Sequence, residues 1–372
     1  QFANSPMADP TKNAAVGAHA GAAVTTGACN FFGGHAAGNK NTTGHSNVAV
    51  GRQAMGCNTT AAYNTVVGAC ALYCNTSVGM AMEAFGFRAL YSNTNGSCNL
   101  AIGFCSLYSN THGCFNTASG YRALASNTTA SHNTAVGSWT LTANTTGENN
   151  AAFGFKAMCS NTTAGFNNAF GFNALCSNTT GCRNTASGSY ALWKNTTGCF
   201  NIAMGHSALV YNTTACNNTA VGACTLFANT TGTDNTAVGF KALKANTTAG
   251  FNTAVGNYAL QANTTGANNT ATGFYALLSN TTGNNNTASG AYALCANTTG
   301  CRSAAFGFQA LLKATTGGFN TAVGTYSLNQ TTTGLCNVAV GTEAMFYNTT
   351  GCNNTALGMR SLHCSTTAKF NT

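Results

Sequence analysis

The residues best equipped for chemistry in this chain are cysteines, and their spacing is regular. Cys182, Cys199 and Cys216 follow one another at intervals of 17, as do Cys159 and Cys176, and Cys57 and Cys74. Thiols one interval apart would be neighbours if the chain stacked on itself at about 4.8 Å, inside the Cα range of a disulfide. Cys176–Cys182 and Cys295–Cys301 also flank an Asn-Thr-Thr-Gly turn and could clip it shut. The candidates for bridging are therefore Cys57, Cys74, Cys159, Cys176, Cys182, Cys199, Cys216, Cys295 and Cys301, with connectivity left open. The alternative is a ladder of small, inert, buried thiols. Metal binding is not expected: no Cys-x-x-Cys pair occurs, and Cys70 with Cys74 lacks a nearby histidine. The total of 18 cysteines is high for a reducing cytosol.

Asparagine keeps the same rhythm. Asn-x-Thr places candidate N-glycosylation sites at Asn127, Asn144, Asn161, Asn178, Asn195, Asn212, Asn229, Asn246, Asn263, Asn280, Asn297 and Asn348. Either these carry glycans, or they form an asparagine ladder at a turn and the sequons follow from composition. Cysteines and sequons together point to an extracellular or surface-exposed address.

Catalytic groups are sparse. The five acids (Asp9, Glu83, Glu148, Asp234, Glu343) lie far apart, and seven histidines occupy mixed positions expected to face solvent. General acid–base chemistry needs a positioned titratable group, usually with a partner. No nucleophile elbow, P-loop or His-Glu-x-x-His motif occurs, so neither an enzyme nor a cofactor is expected. The net charge of +9 comes from 14 bases spread thinly. Arg88, Arg122, Lys156, Lys241 and Arg360 share one place in the rhythm and read as a solvated stripe, not a nucleic-acid surface. Phe87, Phe104 and Tyr121, and Tyr73, Tyr91 and Tyr108, form aromatic columns expected to stack along the array. No apolar run is long enough to cross a bilayer.

What must position these residues is a 17-residue repeat. Its landmark is a glycine closing Asn-x-Ala-(apolar)-Gly, from Gly17 to Gly358, with one 18-residue step between Gly68 and Gly86. With that glycine as position 0, the unit reads Gly-x-x-Ala-Leu-x-Ser/Ala-Asn-Thr-Thr-Gly-x-x-Asn-Thr-Ala-Val. Its two apolar tracts of 3–5 residues are too short for helices, which are marginal below about 12–15 residues. Seventeen residues suit one turn of a β-solenoid. The expected fold is all-β: a parallel β-solenoid, or β-roll, of about 22 coils forming a rod of about 100 Å. It is read as one repeat domain over 1–372, with 1–12 (holding Pro6 and Pro10) a degenerate first coil or partial cap, and 359–372 an incomplete last coil.

The expected core ladder is the leucine at position 4: Leu72, Leu90, Leu107, Leu124, Leu141, Leu175, Leu192, Leu209, Leu226, Leu243, Leu260, Leu277, Leu294 and Leu311. A second core ladder is expected at position 16, before each glycine, with Val50, Phe85, Ile102, Val136, Phe153, Phe170, Met204 and Val221. The Ala-Leu tract is the second apolar tract, and the number of strands per coil is left open. Asn and Gly of the Asn-Thr-Thr-Gly turn are expected to take positive φ.

The motif Asn-x-Ala-Val-Gly-x-x-Ala, as at Asn133–Gly137 and Asn235–Gly239, resembles the head repeat of YadA-like trimeric adhesins. It is closer still to Asn-Thr-Thr-Gly-rich arrays of tail-fibre-like proteins. The resemblance covers essentially the whole chain and implies a parallel β-roll on a surface fibre, trimeric and adhesive. It transfers no binding residue. The adhesin repeat is shorter and is not rich in cysteine.

These readings lead to a structural subunit of an extracellular fibre, stacking end to end. The alternatives are a trimeric adhesive or receptor-binding module and an ice-binding protein. The partners expected are other copies of the chain, with glycans as candidate ligands, and neither nucleic acid nor membrane insertion.

Overall fold

The computed structural model describes residues 12–76 and 80–372. The suggested partial cap, apart from Lys12, lies outside them. Among the described residues there is no helix, and 21 strands of three residues run from β1 (Ala14–Val16) to β21 (Thr355–Leu357), one per coil. The chain divides into two units, residues 1–184 and 185–372. The first carries β1 to β10 (Asn168–Phe170), the second β11 (Thr185–Ser187) to β21. Within each unit successive strands pair in parallel and in register. Ala203 lies opposite Ala220, and Ala220 opposite Ala237. The 18-residue step keeps that register, with Thr65 of β4 (Thr65–Val67) opposite Glu83 of β5 (Glu83–Phe85). Each unit is a parallel β-solenoid.

Each strand turns its middle residue inward. That residue is buried from β2 (Phe31–Gly33) to β21, while its two neighbours face outward. Alternation along a strand dictates this: a buried alanine at position 15 places positions 14 and 16 on the other face. The expected second core ladder is therefore corrected. Val50, Phe85, Ile102, Val136, Phe153, Phe170, Met204 and Val221 lie on the outer face, with Ile102 41% and Met204 47% exposed.

The leucine ladder is the core. All 14 leucines from Leu72 to Leu311 named above are fully buried, beside small residues at position 3. The tract that holds them is not a strand, however. It is a pair of overlapping turns: the Ala259 N–H donates to the Gly256 carbonyl and the Gln261 N–H to the Tyr258 carbonyl, both at 3.3 Å. The third residue of each turn is left-handed, with φ of 60° at Tyr258 and 49° at Leu260. Such turns favour glycine or asparagine at that point, yet here the left-handed leucine aims its side chain into the core.

The landmark glycine is required on two counts. Gly256 has φ of 136°, a region L-residues avoid. A β-carbon on it would also come within 2.5 Å of the Gly273 carbonyl oxygen in the next coil. The Asn-Thr-Thr-Gly segment, expected to hold the positive φ values, does not. They fall at positions 0, 2, 4 and 12, the last including Asn268 at 57°.

Candidate functional site

The most organised chemistry is interior. At position 7, Asn246 is fully buried, and its Nδ2 donates to Asn229 Oδ1 in the preceding coil and to the Ala249 carbonyl, both at 2.9 Å. Asn263 repeats the pattern with Asn246 and Gly266, again at 2.9 Å. A second column runs at position 13. There Asn252 Oδ1 accepts from both the backbone N–H and Nδ2 of Asn269, at 3.0 and 3.2 Å. Asn252 Nδ2 donates to the Gly266 carbonyl at 3.0 Å, the same carbonyl that Asn263 engages. The position-10 carbonyl thus ties the two columns together. Buried amides are tolerated only when their donors and acceptors are met, and stacking identical coils meets them. Threonine at position 8 adds a third row, Thr230 Oγ1 donating to the Thr247 carbonyl at 3.1 Å.

This arrangement corrects the glycosylation expectation. Asn127, Asn144, Asn161, Asn178, Asn195, Asn212, Asn229, Asn246, Asn263, Asn280, Asn297 and Asn348 are all fully buried. The amide nitrogen that a glycan would occupy points into the coil stack, and a sugar on it has no path to solvent. These asparagines are the ladder, not glycan sites. The position-13 column escaped the sequence reading. Its signal was an asparagine, poorly suited to strands, standing next to the strand tract in almost every coil.

No disulfide joins described residues, and most of the candidate thiols take other contacts. Position 11 shows the pattern. The Cys199 N–H donates to Cys216 Sγ at 3.1 Å, and the Asn284 N–H to Cys301 Sγ at 3.3 Å. Ser131 does the same for the Cys114 N–H at 3.0 Å. The position-11 thiol is a small polar stitch between coils. Cys182 belongs to this column but forms no bridge to Cys176. Cys301 donates to the Thr299 carbonyl at 3.3 Å instead of bonding Cys295. Cys57 stands 4.0 Å from Lys40 Nζ, and burial pushes the Cys74 thiol up. Burial likewise raises Cys295. Cys159 and Cys176 are in contact without being bonded.

Outside, the aromatic columns stack as expected. Phe87, Phe104 and Tyr121 lie ring on ring at 5.3 Å, and Tyr73, Tyr91 and Tyr108 at 5.4 and 5.3 Å. Four cations of the basic stripe rest on such rings: Arg88 on Phe87, Arg122 on Trp139, Lys156 on Phe155 and Lys241 on Phe240, at 4.7 to 5.4 Å. Arg360 instead pairs with Glu343 at 2.7 Å, and His363 Nε2 approaches the same oxygen at 3.4 Å. The Arg360 hydrogen bond holds the Glu343 carboxyl below its ordinary range. A shallow groove of about 560 Å³ runs over Ala228, Ala245, Ala262 and Ser279, walled by Phe227, Lys244, Gln261 and Leu278. Its only titratable group is Lys244. Among the described residues, no three His, Cys, Asp or Glu side chains gather as metal ligands, and no helix is long and apolar enough to cross a membrane. No protein-family model matches the chain, and no curated protein matches it either.

Proposed function

We propose that this chain is a structural subunit of an extracellular fibre whose partners are further copies of itself, and that it has no catalytic role. One observation carries the reading: each coil is complementary to its own repeat. Strand amides, both asparagine columns and the threonine row of one coil are completed by the coil seventeen residues on. A strand edge with unmet backbone groups is a template for another strand. A head-to-tail contact of this type extends into a filament unless it closes on itself. Electron microscopy over a concentration series tests this. Filaments of uniform width that lengthen with concentration support it, and discrete particles at every concentration refute it.

A second reading, ice binding, draws on the outer strand face. From β13 (Thr219–Val221) to β17 (Thr287–Ser289), Thr219, Thr236, Thr253, Thr270 and Thr287 form one outward row. Val221, Val238, Val255, Thr272 and Ser289 form the next. Two parallel rows of methyls and hydroxyls at regular spacing suit an ordered water layer. Thermal hysteresis abolished by Thr253→Lys would support this reading, and no hysteresis in the native chain would remove it.

A further inference from the structure

Cys159 and Cys176 hold the same coil position in successive coils, and their sulfurs lie 2.7 Å apart. That is closer than ordinary contact between non-bonded sulfurs. The backbone beside the thiols ties the two coils: the Met158 N–H donates to the Ala174 carbonyl and the Ser160 N–H to the Cys176 carbonyl, both at 3.0 Å, while β9 (Ala151–Phe153) pairs in register with β10. Phe153 and Phe170 also stack at 5.0 Å between the same two coils. Two more groups face Cys159 Sγ, Ser160 Oγ at 3.8 Å and the Cys176 carbonyl at 3.5 Å.

We propose that Cys159 and Cys176 are a redox-reactive thiol pair that a hydroperoxide closes into a disulfide between adjacent coils. The Cys159 thiolate attacks the peroxide oxygen, the O–O bond breaks, and water leaves once the departing oxygen is protonated. The resulting sulfenic acid is attacked by the Cys176 sulfur, which loses its proton as a second water departs. Two thiols and one hydroperoxide give one disulfide and two waters when the oxidant is hydrogen peroxide. Thiolate character favours the first step. The Cys176 thiol donating to Cys159 lowers the latter to about 6, with Ser160 and Lys156 assisting. The same contact, then burial, raises Cys176. Burial alone raises Cys295, and burial is the largest influence raising Cys74 and Cys105, which marks Cys159 out.

The reduced protein, treated with one equivalent of hydrogen peroxide, quenched with N-ethylmaleimide and digested, tests this without a variant. The expected product is a cross-linked peptide joining Cys159 to Cys176, two hydrogens lighter than the reduced pair, with the other cysteines alkylated. N-ethylmaleimide on both residues, or bridges formed as readily elsewhere, would overturn it. Cys176→Ala supplies a second arm. With its donor gone, Cys159 should lose roughly tenfold in iodoacetamide labelling at neutral pH as it returns toward an ordinary thiol. Unchanged labelling would also overturn the proposal.

Discussion

A buried amide oxygen left without a donor costs about 1–3 kcal/mol, and the asparagine columns put that cost under test at single residues. Asn229→Ala removes the donor to Asn212 Oδ1, which is buried and has no other donor on its column side. The expected loss is about 1–3 kcal/mol, read as a lowered denaturation midpoint. The converse test lies at Ala314, where the position-7 column breaks. Asn297 Oδ1 is buried and unpartnered because the next coil offers a methyl. Ala314→Asn should supply the missing donor and raise stability by about 1 kcal/mol, against the usual trend for a polar residue placed in a core. Glu343 sets a pH dependence. Its folded pKa is depressed by Arg360, so its stabilisation is complete above the unfolded value of about 4.3 and disappears as pH falls through the folded value. The Arg360 Nε–H chemical shift should therefore move toward the free-guanidinium value as pH falls below about 4, and Glu343→Gln should remove that dependence.

At the scale of the coil, two glycines that look alike in sequence differ in role. Position 0 is glycine at every landmark and adopts φ of 125° at Gly239. Position 10 is glycine in Gly232 but alanine in Ala249, one coil later, without a positive φ. Gly239→Ala should abolish soluble folded protein, whereas Gly232→Ala should leave the circular dichroism spectrum and yield nearly unchanged. A β-carbon at Gly232 would lie 2.2 Å from the Ala249 carbonyl oxygen, so the local backbone must shift, but alanine already stands at this position in Ala249 and no left-handed φ is at stake. The coil period, the strand and the leucine column were all legible in the sequence because strict recurrence at 17 residues leaves few other ways to bury Leu72 through Leu311. The outward turn of Phe85 and Met204 was not legible: their apolar character suggested burial, and only the alternation about Ala84 and Ala203 reverses it. Nor was the left-handed conformation of Leu260, since neighbours from other coils, not local preference, impose it. The candidate site was misread for a related reason. Asn229 carries a sequon and Cys216 a 17-residue spacing, but both side chains spend their polar atoms on their own and neighbouring coils.

At the scale of the whole chain, 5% charged residues, against about 25% in ordinary domains, give little electrostatic defence against association. Exposed apolar residues such as Phe85, Ile102, Phe170 and Met204 recur at one coil position. A lateral trimer would cover that recurring stripe whereas end-to-end growth would not, and mass measurement under mild conditions distinguishes them. End-to-end growth and lateral association both require coils piled in register within a unit. Thr231, Thr299 and Thr333 share the exposed position 9 in the second unit, four and six coils apart. Spin labels introduced there as unnatural amino acids, in the Thr231–Thr299 and Thr231–Thr333 pairs, report the stacking directly. Pulsed electron resonance should give separations near 19 and 29 Å, growing by about 4.8 Å per coil. Separations that fail to grow with the number of intervening repeats would contradict the solenoid and everything built on it.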